Sequence, residues 1–327
     1  MEARSAAMLP AGEGWWYEPK WDGFRCLAVR DGGEVRLQAK SGKPLARYFP
    51  EVVAALAHLP QTRFVLDGEL LVETLGRASF DALQMRLHPA ETRIRRLAHE
   101  TPASLELFDM LMSADGTDLR GRPLAARHQA LADFCRAVPP GVRLAISPGT
   151  ADRAKAEAWL GHSEIEGVVA KRLDEPYRGG ERAMVKVKRT RSADCVVGGF
   201  RYAADGPLVG SLLLGLYDDA GRLNHVGFTS GLAAADKPAL TRQLEALRGE
   251  GFTGDRPGGP SRWSTERSAA WVPLKPELVV EVSFDHVTGG RFRHGTRLIR
   301  FRPDKAPTQC RMDQIAPSVQ ADAHGEG

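Results

Sequence analysis

The sequence predicts an α+β protein in two parts, a mixed α and β part followed by a small, strand-rich β-barrel part. Three observations carry this. Short apolar runs bounded by turn residues alternate with helical patterns as far as about residue 190, strands dominate beyond it, and the change falls in a polar, basic stretch, RTRSA at 189–193.

In the first part, CLAVR (26–30), FVLDGELLV (64–72), SLELFDML (104–111), LAIS (144–147) and EGVVAKR (166–172) read as strands. FPEVVAALAHL (49–59), with Pro50 in its first turn, and RHQALADFCRAV (127–138) read as helices. In the second part the strands are DCVVGGF (194–200), GSLLLGLYD (210–218), LNHVGFT (223–229), ELVVEVSF (277–284) and TRLIRFR (296–302), with one helical stretch near 234–248. That content suits a small, partly closed barrel such as the OB-fold. The expected organisation is therefore a first domain over 1–190, a barrel domain over 191–312 and a flexible C-terminal tail over 313–327, ending in the polar SVQADAHGEG. RTRSA is the expected hinge.

Composition narrows the class. The four cysteines, Cys26, Cys135, Cys195 and Cys310, lie far apart without a C-x-x-C, which argues against a disulfide framework or a zinc ribbon and fits a reducing cytoplasm. The first ten residues lack an export-signal pattern, and no apolar run approaches the length that crosses a bilayer, so the expectation is a soluble, cytoplasmic protein with no membrane partner. The formal net charge is only +4, yet Arg182, Lys186, Lys188, Arg189 and Arg191 crowd one segment and Arg291, Arg293, Arg297, Arg300, Arg302 and Lys305 another. Such clusters suit a polyanion, and charge alone does not separate DNA, RNA and a nucleoside triphosphate.

Two common nucleotide signatures fail. SGKP at 41–44 lacks the earlier glycine and the final Ser or Thr of a P-loop, and no G-x-G-x-x-G joins a strand to a helix. YEPKWDGFR at 17–25 offers a different chemistry. A lysine that attacks phosphorus must be partly deprotonated near neutral pH, which burial and neighbouring cations achieve. Arg25 lies five residues beyond Lys20, and Lys186 and Lys188 of VKVK share one face of a strand. Asp67 and Glu69 share a face in LDGEL, Asp109 follows Phe108, and Glu166 opens EGVVAK; such carboxylates hold ribose hydroxyls or magnesium. Each also has a plain structural reading: Asp67-Gly68 as a turn, Phe108 as core, Lys186 and Lys188 as solvated lysines on an edge strand.

Taken in order, K-W-D-G-F-R (20–25), L-D-G-E (66–69), L-F-D (107–109), E-G-V-V-A-K (166–171), V-K-V-K (185–188) and R-F-R-P-D-K (300–305) resemble the ordered motifs of the covalent nucleotidyltransferase superfamily, and within it the ATP-dependent DNA ligases of the short bacterial ligase C type. The resemblance runs from Glu18 to Lys305. It implies an ATP-grasp-like adenylation domain followed by an OB-fold domain, and an enzyme that seals nicks in duplex DNA, in repair or recombination, through a lysyl-AMP intermediate and an adenylated 5′-phosphate.

Residue by residue, the resemblance implies that Lys20 attacks the α-phosphorus of ATP and that Glu18 helps read the adenine edge. Arg25 and Glu69 would contact the ribose or its surroundings, and Phe108 would stack on adenine. Glu166, with Glu69, would hold magnesium, with manganese as the alternative metal. Lys186 and Lys188 would meet the phosphates, and Arg302, Asp304 and Lys305 would swing over the site to orient pyrophosphate. Two positions depart from the pattern. Lys40 stands where many ligases carry an arginine, keeping a charge for the nucleotide or nick without the planar fork, and Met184 replaces an aromatic.

The implied partners are ATP, nicked duplex DNA and a separate repair polymerase, and the implied protein is a bacterial monomer, nucleoid-associated when working. An RNA ligase or an mRNA-capping guanylyltransferase is the alternative within the superfamily. A nucleic-acid-binding protein that has lost catalysis is the alternative outside it.

Overall fold

The computed structural model describes residues 1–162, 165–258 and 270–316. The chain divides into two compact units, Met1–Arg189 and Thr190–Gly327.

The first unit runs β1 (Ala3–Ser5), β2 (Trp15–Lys20), β3 (Phe24–Asp31), β4 (Glu34–Ala39), α1 (Pro50–Ala57), β5 (Arg63–Thr74) and the two-residue β6 (Arg77–Ala78). It continues with α2 (Phe80–Met85), α3 (Glu91–Glu100), β7 (Ala103–Met112), α4 (Leu124–Arg136), β8 (Leu144–Ile146), α5 (Arg153–Trp159), β9 (Gly167–Arg172) and β10 (Met184–Lys188). One sheet has the order β1-β10-β9-β2; the other has the order β4-β3-β5-β7-β8, with β6 beside β5.

Period-two patterning sets the faces of the smaller sheet. Tyr17 of β2, Val168 and Ala170 of β9, and Val185 and Val187 of β10 pack into one core with Ala156 of α5. The alternate residues, Glu18 and Lys20, Val169 and Lys171, and Lys186, therefore project to the opposite face. The larger sheet buries Cys26, Ala28, Leu66, Leu70 and Leu107 in a core with Val52 and Leu56 of α1, Leu83 of α2 and Leu131 and Phe134 of α4. Local chemistry starts the helices: Pro50 occupies the first turn of α1, where no N–H is needed, and Asp152 caps α5 by accepting from Ala154 N at 2.9 Å.

The second unit comprises β11 (Arg191–Tyr202), β12 (Val209–Tyr217), β13 (Leu223–Thr229), α6 (Lys237–Ala246), β14 (Val272–Pro273), β15 (Val279–Phe284), β16 (Val287–Thr288), β17 (Arg291–Phe292) and β18 (Arg297–Phe301). Its main sheet has the order β13-β12-β11-β15-β18, and β16 and β17 form a separate hairpin. Among the described residues one isolated bridge, Thr229 with Thr296, links the two edges at one end, Thr296 N donating to Phe228 O at 3.0 Å and Thr229 Oγ1 to Thr296 O at 3.0 Å, so the sheet curls without closing into a full barrel. Val196, Phe200, Leu212, Leu214 and Val280 form its core with Leu244 of α6.

Two expectations need correction here. Most of the expected hinge is strand, because Arg191–Ala193 pair with Phe284–Val282; only Arg189 and Thr190 separate β10 from β11. The tail does not begin at 313. Gln314 exchanges hydrogen bonds with the Asp194 backbone at 2.9 and 3.1 Å, and Ile315 is buried, so the chain is held as far as Ala316. Residues 317–327, including SVQADAHGEG, lie outside the described residues.

All four cysteines are free thiols, Cys26, Cys195 and Cys310 buried and Cys135 half-buried. Burial pushes Cys26 up to about 12, Cys135 and Cys310 up to about 11, and Cys195 well above the usual thiol range. No helix among the described residues is long and apolar enough to cross a membrane.

Candidate active site

The two sheets of the first unit face each other across an open cleft of about 710 Å³. The smaller sheet contributes Glu18, Lys20, Lys171 and Lys186; the larger contributes Arg25, Glu69 and Phe108, and Lys40 follows the end of β4.

Lys20 ends β2, and its side chain is 23% exposed. Its amine donates to Glu166 Oε2, while Glu166 Oε1 takes Lys188 Nζ at 2.8 Å. The Glu166 backbone is pinned as well, its N donating to Lys20 O at 3.0 Å and its O accepting from Arg189 N at 2.9 Å. Burial draws the Lys20 amine down to about 8; Glu69 and Asp22 oppose this, while Lys188 and Lys186 act with burial. The ion pair with Glu166 favours the charged amine, so Lys20 stands between opposing influences, and burial with two neighbouring lysines is what makes a free base accessible. Burial likewise raises Glu69 to about 8, against the pull of Lys20 and Arg25.

Arg25 is held by a fork on Asp67, with Nε to Oδ1 at 3.0 Å and Nη2 to Oδ2 at 2.6 Å. Tyr177 donates to Asp67 Oδ2 at 3.0 Å, and Arg25 also donates to Met1 O. Behind this lies a second fork, Arg127 to Asp109 at 2.7 and 2.9 Å, with both groups buried. A buried pair of this kind orients its surroundings more than it stabilises the fold.

Phe108 forms a wall of the cleft, with Lys171 Nζ 4.6 Å from its ring centroid and Arg25 Cζ at 5.6 Å. Glu18 is buried; Lys171 Nζ lies 2.6 Å from one oxygen and His128 Nε2 3.3 Å from the other. Burial alone would raise the Glu18 carboxyl, but Lys171 and His128 outweigh it and hold the group below its ordinary value.

Of the residues singled out from sequence, Lys20, Glu18, Arg25, Lys40, Glu69, Phe108 and Lys186 line one cleft, and Glu166 and Lys188 join it through the Lys20 amine. Lys40 sits in the open with Glu2 at 3.0 Å, and Met184 is buried where β1 pairs with β10. Arg302 and Lys305 belong to the second unit, where Asp194 takes Arg302 at 2.8 Å and Lys305 at 3.3 Å, and Asp304 takes Arg302 at 2.8 Å.

The plain structural readings fare poorly. Asp67-Gly68 is the middle of β5, Phe108 lines the cleft, and β10 is an inner strand between β1 and β9. Gly23 is demanded by close approach, since a Cβ there would lie 2.3 Å from Leu70 O. Trp21 also lines the cleft, its indole N–H donating to Ser147 Oγ at 2.9 Å. Sequence reasoning missed Lys171, which the alternation of EGVVAK could have revealed, and His128 and Tyr177, for which no local pattern exists.

Comparison with known proteins places these features in context. Residues 3–188 match the family model for the ATP dependent DNA ligase domain and 205–305 that for the ATP dependent DNA ligase C terminal region. The chain is 42% identical to DNA ligase C1 of Mycolicibacterium smegmatis, over 99% of this chain and 95% of the relative. It is 40% identical to DNA ligase C of Mycobacterium tuberculosis, over 96% and 92%. A solved Lig E DNA ligase superposes with a TM-score of 0.57 over 92% of this chain and all of its own; at 18% identity that likeness concerns the fold.

Proposed function

Because this chain belongs to the ATP-dependent DNA ligases, we propose that Lys20 is its nucleophile and that the cleft of the first unit is where ATP is consumed. The observation that carries this assignment is the half-buried Lys20 amine, drawn down to about 8 and held beside Glu166, Glu69 and two further lysines. A surface lysine has none of these features.

Phe108 offers a flat platform for adenine, and Glu18 with Lys171 supplies polar atoms for the base edge. Arg25, fixed by Asp67, and Glu69 stand toward the ribose, and Lys186 and Lys188 neutralise the phosphates. The Lys20 amine, held in place by Glu166 and a free base once its proton has gone to solvent, attacks the α-phosphorus. A P–N bond forms as the bond to pyrophosphate breaks. AMP then passes to the 5′-phosphate of a nick, and the 3′-hydroxyl displaces it. Arg302 and Lys305, kept together by Asp194, serve the pyrophosphate in the first step, and Lys40 serves the nucleotide or nick at the mouth of the cleft.

Glu69 suits a divalent cation: it presents hard oxygen donors, burial disfavours its lone charge, and among the described residues it has no hydrogen-bond or ion-pair partner. Magnesium or manganese held by Glu69 and Glu166 would neutralise phosphate charge there. The basic segments at 182–191 and 291–305 suit the phosphates of nicked duplex DNA. Action as a monomer on the nucleoid, alongside a separate repair polymerase, completes the proposal.

The test is ATP labelled on the α-phosphate, mixed with the protein and magnesium and then denatured. Label should stay on the wild-type chain and be absent from Lys20→Ala. Adduct formation by Lys20→Ala would remove Lys20 from its role.

A further inference from the structure

We propose that His128 is a positioning residue for base selection, fixing Glu18 against the Phe108 platform so that the cleft prefers adenine to guanine. The inference rests on the reading above that Glu18 faces the base.

His128 lies on α4 and is not part of the cleft lining, yet its Nε2 reaches two groups that are. One is Glu18 Oε1 at 3.3 Å, on β2 of the smaller sheet; the other is the backbone oxygen of Phe108 at 3.1 Å, on β7 of the larger. Both groups accept hydrogen bonds, so Nε2 carries the proton and shares it between them. A single ring N–H thus ties the edge-reading carboxylate of one sheet to the stacking platform of the other. Trp16 braces the imidazole edge-on, with ring centroids 5.7 Å apart.

What His128 holds in place is a two-atom pattern. Glu18 is ionised and can only accept, and 2.6 Å from it stands the Lys171 ammonium, which can only donate. Lys171 also donates to Phe108 O at 3.3 Å, so the pair is registered to the same platform. An acceptor beside a donor complements the edge of adenine, which carries an amino group next to a bare ring nitrogen. Guanine carries a carbonyl oxygen next to a ring N–H at those places, so each would face a group of its own kind. Discrimination of this sort depends on the polar groups staying put, because a carboxylate free to turn can satisfy either base. Without His128, Glu18 Oε1 loses, among the described residues, its one side-chain partner outside the cleft lining.

The experiment compares self-labelling by α-labelled ATP and GTP in the full-length protein. His128→Phe keeps the ring and its packing on Trp16 but removes the N–H; the ATP-over-GTP ratio should fall roughly ten- to hundredfold, the size of a lost hydrogen bond to a charged group, with KM for ATP rising more than kcat falls. His128→Gln restores an N–H within reach and should recover most of the preference. An unchanged ratio in His128→Phe, or an equal fall in both variants, overturns the proposal. Glu18→Gln, run in parallel, separates the two readings. If Glu18→Gln leaves the ratio unchanged, the base-facing role of Glu18 is wrong; if it shifts the ratio and His128→Phe does not, only the role of His128 is wrong.

Discussion

Lys20, the proposed nucleophile, shows how tertiary structure perturbs a common side chain. Burial does most to favour its free base, and residues more than a hundred positions away add to it: Glu166 contacts the amine, and Lys188 and Lys186 lower the cost of losing its proton. With Lys20 attacking as the free base, as proposed, lysyl-AMP formation at ATP concentrations well below KM should rise with pH and level off above about 8. Lys186→Met removes one of the charges that favour the free base, so the midpoint should move upward; a flat profile from about pH 6 to 9 in the wild type would sink this account. The place of Lys20 and Glu18 in the cleft was legible through the motif at 17–25, and that of Glu69 through the alternation of LDGEL. His128 and Tyr177 were not, because a helix histidine and a loop tyrosine acquire their roles only through partners brought by folding. Phe108 sits between these cases: it lies in an apolar run, and only the packing of β7 shows that its ring faces the cleft.

At the scale of elements, β9 and β10 form the structural centre of the site. Val168, Ala170, Val185 and Val187 face the core while Lys171 and Lys186 face the cleft, so packing on one side aims cations on the other. The close spacing relies on Gly167, where a Cβ would stand 2.2 Å from Val187 O, a backbone atom that cannot turn aside. Gly167→Ala should therefore cost about 1–3 kcal/mol in urea unfolding, the usual size of overpacking, and should weaken self-labelling because Lys188 moves with its strand. Unaltered stability and labelling would show that β10 has slack the structure does not display. The strands β3, β5, β7, β9, β11, β12, β13, β15 and β18 and the helices α1, α4 and α6 could be read from apolar patterning, whereas β2 and β4 were not. The strands β1, β6, β14, β16 and β17 have only two or three residues each, too few to carry a period. Helix α3, ETRIRRLAHE, buries only Ile94 and so lacks an apolar stripe.

For the whole molecule, the change of character near residue 190 was legible because strands far outnumber helices beyond it. The extent of the hinge was not, because RSA reads as polar linker until its partner Val282–Phe284 is in view. Arg302 and Lys305 share Asp194 as a counter-ion within their own unit, which keeps the two cations together. Arg302→Ala should cut lysyl-AMP formation at least roughly tenfold, the loss of one charge-assisted contact, while a nick supplied already adenylated is still sealed. Equal loss in both assays would place Arg302 on DNA or on the fold instead. The thiols bear on how the proposed swing can be tested. With Cys26, Cys195 and Cys310 buried, Cys135 half-covered, and all four held far from the thiolate form at neutral pH, maleimide dyes react poorly with the native chain. One new surface cysteine in each unit therefore gives a two-colour distance reporter without first stripping out the natural ones.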